Sequence, residues 1–196
     1  MTAILNSRTT RLAALALGLF GLTQAAQAQW FVGGAFGSAK IDVDCRGTTQ
    51  CDTGDTGAKV YGGYKLPVHN SLPNFALEAG YIDFGKAKAS SAFVSRSNAV
   101  SAFVFNAAIR PEFTREFSGT VRAGLAYVNG DFDSTVGPLQ SARSSDSNIH
   151  LYVGLGLAYA INKQWRVTGD LDFTGYDSGN DSGNVRLLSI GAQYGF

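Results

Sequence analysis

The chain has 196 residues and a formal net charge of +1, with 16% charged residues, 12% aromatic residues and 24 glycines. So balanced a charge argues against a nucleic-acid partner, which calls for a strongly basic surface. Charge is sparse beside about 25% in ordinary globular domains, yet a mean hydropathy near zero excludes a bundle of membrane helices. Both fit a membrane β-barrel, in which only alternate residues need be apolar.

Residues 1–28 read as a removable leader. Arg8 and Arg11 give a positive start, "LAALALGLFGL" (12–22) is apolar but too short to span a bilayer, and Ala26-Gln27-Ala28 supplies the small-x-small cleavage pattern. Cleavage before Gln29 is expected, with export from the cytoplasm. After residue 28 no apolar run is long enough for a membrane helix.

Period-two alternation fills the rest. Strands are expected near 29–42, 57–66, 74–85, 99–110, 117–128, 148–161, 164–174 and 184–196. In "FALEAGYIDF" (75–84), Phe75, Leu77, Ala79 and Tyr81 oppose Ala76, Glu78 and Gly80. In "TVRAGLAYV" (120–128), Val121, Ala123, Leu125 and Tyr127 oppose Arg122, Gly124 and Ala126. In "LYVGLGLAYAI" (151–161) a Leu/Val/Tyr/Ile face opposes one of Tyr152, glycine and alanine. In "WRVTGDLDF" (165–173), Trp165, Val167, Gly169, Leu171 and Phe173 oppose Arg166, Thr168, Asp170 and Asp172. Most of these strands have about the 9–11 residues that cross a bilayer at a tilt.

The connections alternate in length. Those at 43–56, 86–98, 129–147 and 175–183 are long and polar and are expected as loops. Those at 67–73, 111–116 and Asn162-Lys163 are short. Long outer loops and short periplasmic turns belong to an all-β, eight-stranded antiparallel up-and-down transmembrane β-barrel. Periodicity alone does not say which face points inward, since a soluble barrel would bury the apolar one. Small residues on the polar face favour a narrow lumen. Aromatics in two belts favour a membrane: Trp30, Tyr64, Phe75, Phe117, Tyr159, Trp165, Tyr194 and Phe196 toward one end, Tyr127, Tyr152 and Phe173 toward the other. The final "SIGAQYGF" (189–196) is a strand to its last residue, as closure against the first strand requires.

With "QWFVGGAFG" (29–37), "YGGYKL" and "NFALEAGYIDFGK" (61–86), "AYAINKQWRVTGDLDF" (158–173) and this ending, the chain resembles the eight-stranded outer-membrane barrels of Gram-negative bacteria, OmpA-like and OmpX-like. The resemblance implies a domain over 29–196 in the bacterial outer membrane. It would lack the peptidoglycan-binding periplasmic domain of many OmpA proteins. Gly191, Tyr194 and Phe196 resemble the C-terminal signal read by the outer-membrane assembly machinery. Lipid and lipopolysaccharide are the other expected partners, and a monomer is expected.

Several residues are candidates for chemistry. Cys45 and Cys51 in "DCRGTTQC" read as a disulfide in an oxidising compartment; the alternatives are free thiols or a metal pair, for which no histidine is near. Glu78, Arg122, Arg166, Asp170 and Asp172 should face the lumen, either as a compensated plug or as a gate of exchanging salt bridges. The resemblance places Glu78 in such a gate, but the partners it implies on the sixth and seventh strands fall on Ala158 and Thr168, leaving Arg122 or Arg166 to pair with Glu78. His150, near Ser147 and Asp146, is the one candidate for surface catalysis; His69 lies in a periplasmic turn. The Asp/Gly repeats at 52–57 and 177–184 lack the spacing of a calcium loop. No cofactor or catalytic site is expected. A structural or loop-mediated surface role, in envelope integrity or adhesion, comes first. A narrow pore is the alternative, and an enzyme comes last.

Overall fold

The computed structural model describes residues 29–42, 50–66, 74–90, 94–136, 140–178 and 181–196. The expected leader (1–28) and Cys45 lie outside them. Nine strands run in sequence: β1 (Trp30–Ile41), β2 (Gln50–Asp52), β3 (Gly54–Lys65), β4 (Asn74–Ser90), β5 (Val94–Arg110), β6 (Phe117–Val136), β7 (Gln140–Ala160), β8 (Trp165–Ser178) and β9 (Asp181–Gly195). The eight long strands pair antiparallel with their neighbours, and β1 pairs with both β3 and β9. The fold is therefore a closed eight-stranded antiparallel β-barrel. Cys51 belongs to short β2, which pairs with the upper part of β4.

Alternation sets the two faces. Val60, Leu77, Phe105, Leu125, Leu151, Leu157 and Ile190 are exposed on the outside, whereas Ala76, Glu78, Asn106, Arg122, Asp170 and Gln193 are buried inside. A soluble barrel would reverse these faces, so the apolar exterior marks a lipid-facing surface. On β7 the apolar outward face runs from Ile149 to Tyr159. Ten rises of about 3.3 Å, tilted by about 40°, give ~25 Å, the height of an outer-membrane apolar band. Trp30 against Tyr64 and Trp165 against Tyr194 form ring pairs with centroids 5.0 Å apart near its lower edge. Tyr81 against Phe103, at 4.9 Å, sits nearer the upper edge.

The seam is closed by a continuous ladder between β1 and β9. β1 and β9 pair from Phe31↔Gly195 to Ile41↔Val185, and the Phe196 N–H donates to the Trp30 carbonyl at 3.0 Å. At the short turn after β7, Asn162 Oδ1 accepts hydrogen bonds from the Gln164 and Trp165 N–H groups at 2.9 and 2.8 Å.

Three expectations need correction. Segments 86–98, 129–147 and 175–183 are not wholly loops. β4 and β5 pair up to Ser90↔Ser95, β6 and β7 up to Val136↔Gln140, and β8 and β9 up to Ser178↔Asp181. Alternation records contact with lipid, but the hydrogen-bond ladder continues beyond the apolar band. Second, part of 43–56 is strand, in β2 and the start of β3. Third, Tyr152 is not a belt residue. It is 2% exposed and points inward, in phase with Gly154 and Gly156.

The inner face also changes along the axis. In the outer half Ile41, Ile82, Phe84, Val100, Val128, Val185 and Leu187 pack together inside the barrel as an apolar plug. There the polarity of the two faces inverts while the phase is kept, with Asp83 and Arg186 facing out beside inward Ile82, Phe84, Val185 and Leu187. A bulge on β4 between Asp83 and Lys86 falls at this level. Gly85 has φ +73° in it, and its N–H donates to Asp83 Oδ1 at 2.9 Å.

Candidate functional site: the barrel lumen

Below the apolar plug, the inward positions of β3, β4, β5, β6 and β8 carry charge. Glu78 on β4 accepts from two guanidinium groups, with Arg110 NH2 at 2.5 Å from Oε1 and Arg122 Nε at 2.8 Å from Oε2. Arg122 NH1 also donates to Asp170 Oδ1 at 2.7 Å. Lys59 Nζ lies 3.2 Å from Asp170 Oδ2 and 2.7 Å from Asp172 Oδ2. The chain of contacts ends with the Tyr152 hydroxyl donating to Asp172 Oδ1 at 2.5 Å, and Arg110 NH1 donating to Gln193 Oε1 at 3.2 Å. Most of these contacts cross the lumen or skip a strand, so they tie walls that the ladders do not join.

Space for this network comes from residues without side chains. Arg122 pairs across the ladder with Gly154, which also faces Asp172, and Gly156 faces Asp170. A Cβ at Gly156 would lie 2.3 Å from Asp170 Oδ1 and 3.2 Å from Arg122 NH1. The Arg122 guanidinium thus takes the space that β7 leaves empty. Tyr61 also fills the interior, its ring 6.4 Å from that of Phe31, and the Arg110 guanidinium lies 4.0 Å from the Phe31 ring centre.

Charges balance within the network, since Lys59, Arg110 and Arg122 face Glu78, Asp170 and Asp172. All six are buried, Asp172 fully. Burying an ion costs several kcal/mol and is recovered only with close opposite charge and satisfied hydrogen bonds. The alternation of acid and base supplies the close opposite charge and most of the hydrogen bonds, leaving the Arg110 Nε–H and Asp170 Oδ2 without a hydrogen-bond partner. A cavity lined by Lys59, Glu78, Asn106, Arg122 and Tyr152 has a volume of ≈ 10 Å³, at the lower limit for one water.

The lumen thus brings together four of the expected residues, Glu78, Arg122, Asp170 and Asp172. Arg166 lies lower, with NH1 3.5 Å from the Ser118 hydroxyl and no carboxylate in the network. Lys59, Arg110 and Tyr152 were missed. Lys59 shares the inward phase of Tyr61 and Gly63, a signal present in the alternation. Arg110, next to Pro111, reads as the start of a turn. At the seam, a Cβ on Gly191 would lie 2.1 Å from the Gly34 carbonyl oxygen, while Tyr194 packs edge-on against Phe196 at 5.1 Å.

The outer rim does not assemble the other candidate. His150 faces inward with Nε2 3.5 Å from Asp177 Oδ2. Ser147 projects from the other face of β7, and its hydroxyl bonds Asn129 Oδ1 at 2.8 Å. Asp146 Oδ1 accepts from the Ser147 N–H at 2.8 Å. His150 and Ser147 are therefore not aligned as base and nucleophile.

A closed barrel with an apolar exterior, an aromatic-edged band and an internally compensated lumen defines an integral outer-membrane protein of Gram-negative bacteria. The chain belongs to the outer membrane protein beta-barrel domain family, whose model matches residues 12–196. Its fold is similar to that of Ail, the attachment invasion locus protein of Yersinia pestis, at 16% identity and a TM-score of 0.53, over 86% of this chain and 99% of Ail. It is also similar to neisserial surface protein A, at 14% identity and 0.55, over 85% and 97%. OprG from Pseudomonas aeruginosa gives 15% identity and 0.50, over 88% and 98%. At these identities the likeness is one of fold. No curated protein matches the chain.

Proposed function

We propose that this protein is a closed outer-membrane scaffold whose outer hairpins act at the cell surface, in envelope integrity or adhesion, and that it is neither a pore nor an enzyme. The observation that carries this reading is the double filling of the lumen by an apolar plug and a charge network. A solute path needs both removed. With the interior occupied by packed side chains, the outward hairpins are the surfaces free to meet a partner, and the β6–β7 ladder reaches farthest in sequence, to Val136↔Gln140. The same reading takes the C-terminal strand, with Gly191, Tyr194 and Phe196, as the segment presented to the assembly machinery.

Replacing residues 131–145 by an Asp-Gly turn tests the surface role, because it shortens the hairpin without touching the lumen. The expected outcome is a folded barrel with unchanged unfolding and lost surface attachment or raised detergent sensitivity of the producing cells. Unchanged phenotypes with this hairpin and the β4–β5 and β8–β9 hairpins all shortened would refute it.

A further inference from the structure

From the level of Asp172 down to the periplasmic mouth, the described inward positions hold five cations, Lys59, Lys65, Arg110, Arg122 and Arg166, against Glu78, Asp170 and Asp172. Three of each are consumed in the network. Lys65 and Arg166 are left over, half-buried at the mouth, where they lie in phase with the inward faces of β3 and β8. Arg166 touches only the Ser118 hydroxyl among the side-chain contacts described, and Lys65 has no ion pair among them. Around Lys65 the like charges of Arg166 and Arg110 act against the single opposite charge of Glu112. Glu112 is itself exposed on the turn and accepts a hydrogen bond from Asn74 Nδ2 at 2.9 Å. Deeper in, the buried Arg110 Nε–H lacks an acceptor.

Two inward cations at one mouth, neither in an ion pair among the described contacts and one of them beside a hydroxyl, are the chemistry that captures an oxyanion. We propose that Lys65 and Arg166, with the Ser118 hydroxyl, form a periplasm-facing subsite for an anion of the phosphate class at the mouth of the lumen. Such an anion neutralises the two surplus charges and closes the lower end of the barrel electrostatically. The inference concerns the lower mouth alone and does not depend on the outer hairpins. Free phosphate and the phosphate of an anionic lipid headgroup share this chemistry.

The test is calorimetric titration of inorganic phosphate into the refolded protein in uncharged maltoside micelles, with chloride holding the ionic strength constant. Saturable binding is expected, weaker by about tenfold or more in K65Q and in R166Q, because each removes a charged hydrogen-bond donor. K40Q, which alters an exposed outward lysine on β1, should bind as the parent does. Heat-modifiable gel mobility confirms that each variant is folded, and either single variant suffices if the other fails to fold. Absence of saturable binding by the parent, or equal binding by parent, K65Q and R166Q, overturns the proposal. Bilayer discs then distinguish the sources. Phosphate binding lost in phosphatidylglycerol discs but kept in phosphatidylcholine discs assigns the site to a lipid headgroup, and binding kept in both assigns it to the free anion.

Discussion

Replacing Glu78 by glutamine keeps its shape and removes its charge. Glu78 holds Arg110 at 2.5 Å and Arg122 at 2.8 Å, all three groups buried. Arg122 keeps Asp170, but Arg110 loses the carboxylate that balances it and keeps only neutral contacts, among them Gln193 and the Phe31 ring. The network passes from neutral to one uncompensated positive charge, and leaving a buried charge without its partner costs about 3–5 kcal/mol. Two charged hydrogen bonds at about 1.5–3 kcal/mol each give a similar magnitude. Urea unfolding from lipid vesicles measures it, and Trp30 and Trp165, both exposed to lipid, report the transition by fluorescence. A second comparison isolates the pair. R110Q should cost several kcal/mol in the parent but little in E78Q, because Arg110 has already lost its carboxylate. E78Q within about 0.5 kcal/mol of the parent, the range of an ordinary surface substitution, would refute this account of the lumen.

Other substitutions probe the remaining parts. Gly156→Ala forces a methyl group to 2.3 Å from Asp170 Oδ1, so the urea midpoint should fall by the equivalent of about 1–3 kcal/mol. Gly191→Ala meets the Gly34 carbonyl oxygen at 2.1 Å, where only backbone could yield; a reduced folded fraction on heat-modifiable gels is expected, and a parent-like yield would contradict the seam geometry. Phe84→Ala removes a fully buried ring from the plug and should cost about 3–5 kcal/mol without creating conductance, because the charge network below it persists.

The faces of the barrel were legible because lipid and lumen impose opposite chemistry on successive residues. Val121, Leu125, Leu151 and Leu157 declare the outer face, and Glu78, Asp170 and Asp172 the inner one. The ladder above the membrane was not legible, since a polar run such as "SARSSDSN" (141–148) carries no apolar alternation, although its backbone stays in the β6–β7 ladder. The apolar plug was hidden for a related reason. Ile82 and Phe84 lie on the same inward phase as Glu78, so the sequence changes meaning at Tyr81 without changing period. Tyr152 was misplaced by weighing its height in the strand over its phase. Pairing within the network depends on how the walls stagger across the lumen, which sequence order does not report. Thus Glu78 was legible, whereas its partnership with Arg110 was not.

Planar-bilayer conductance of the refolded barrel tests the central claim most directly. A lumen filled by the plug and the charge network predicts a silent membrane, with heat-modifiable mobility confirming that the protein is folded. Discrete, voltage-stable steps altered by Glu78→Ala would contradict it and make the barrel a pore governed by its lumen charges.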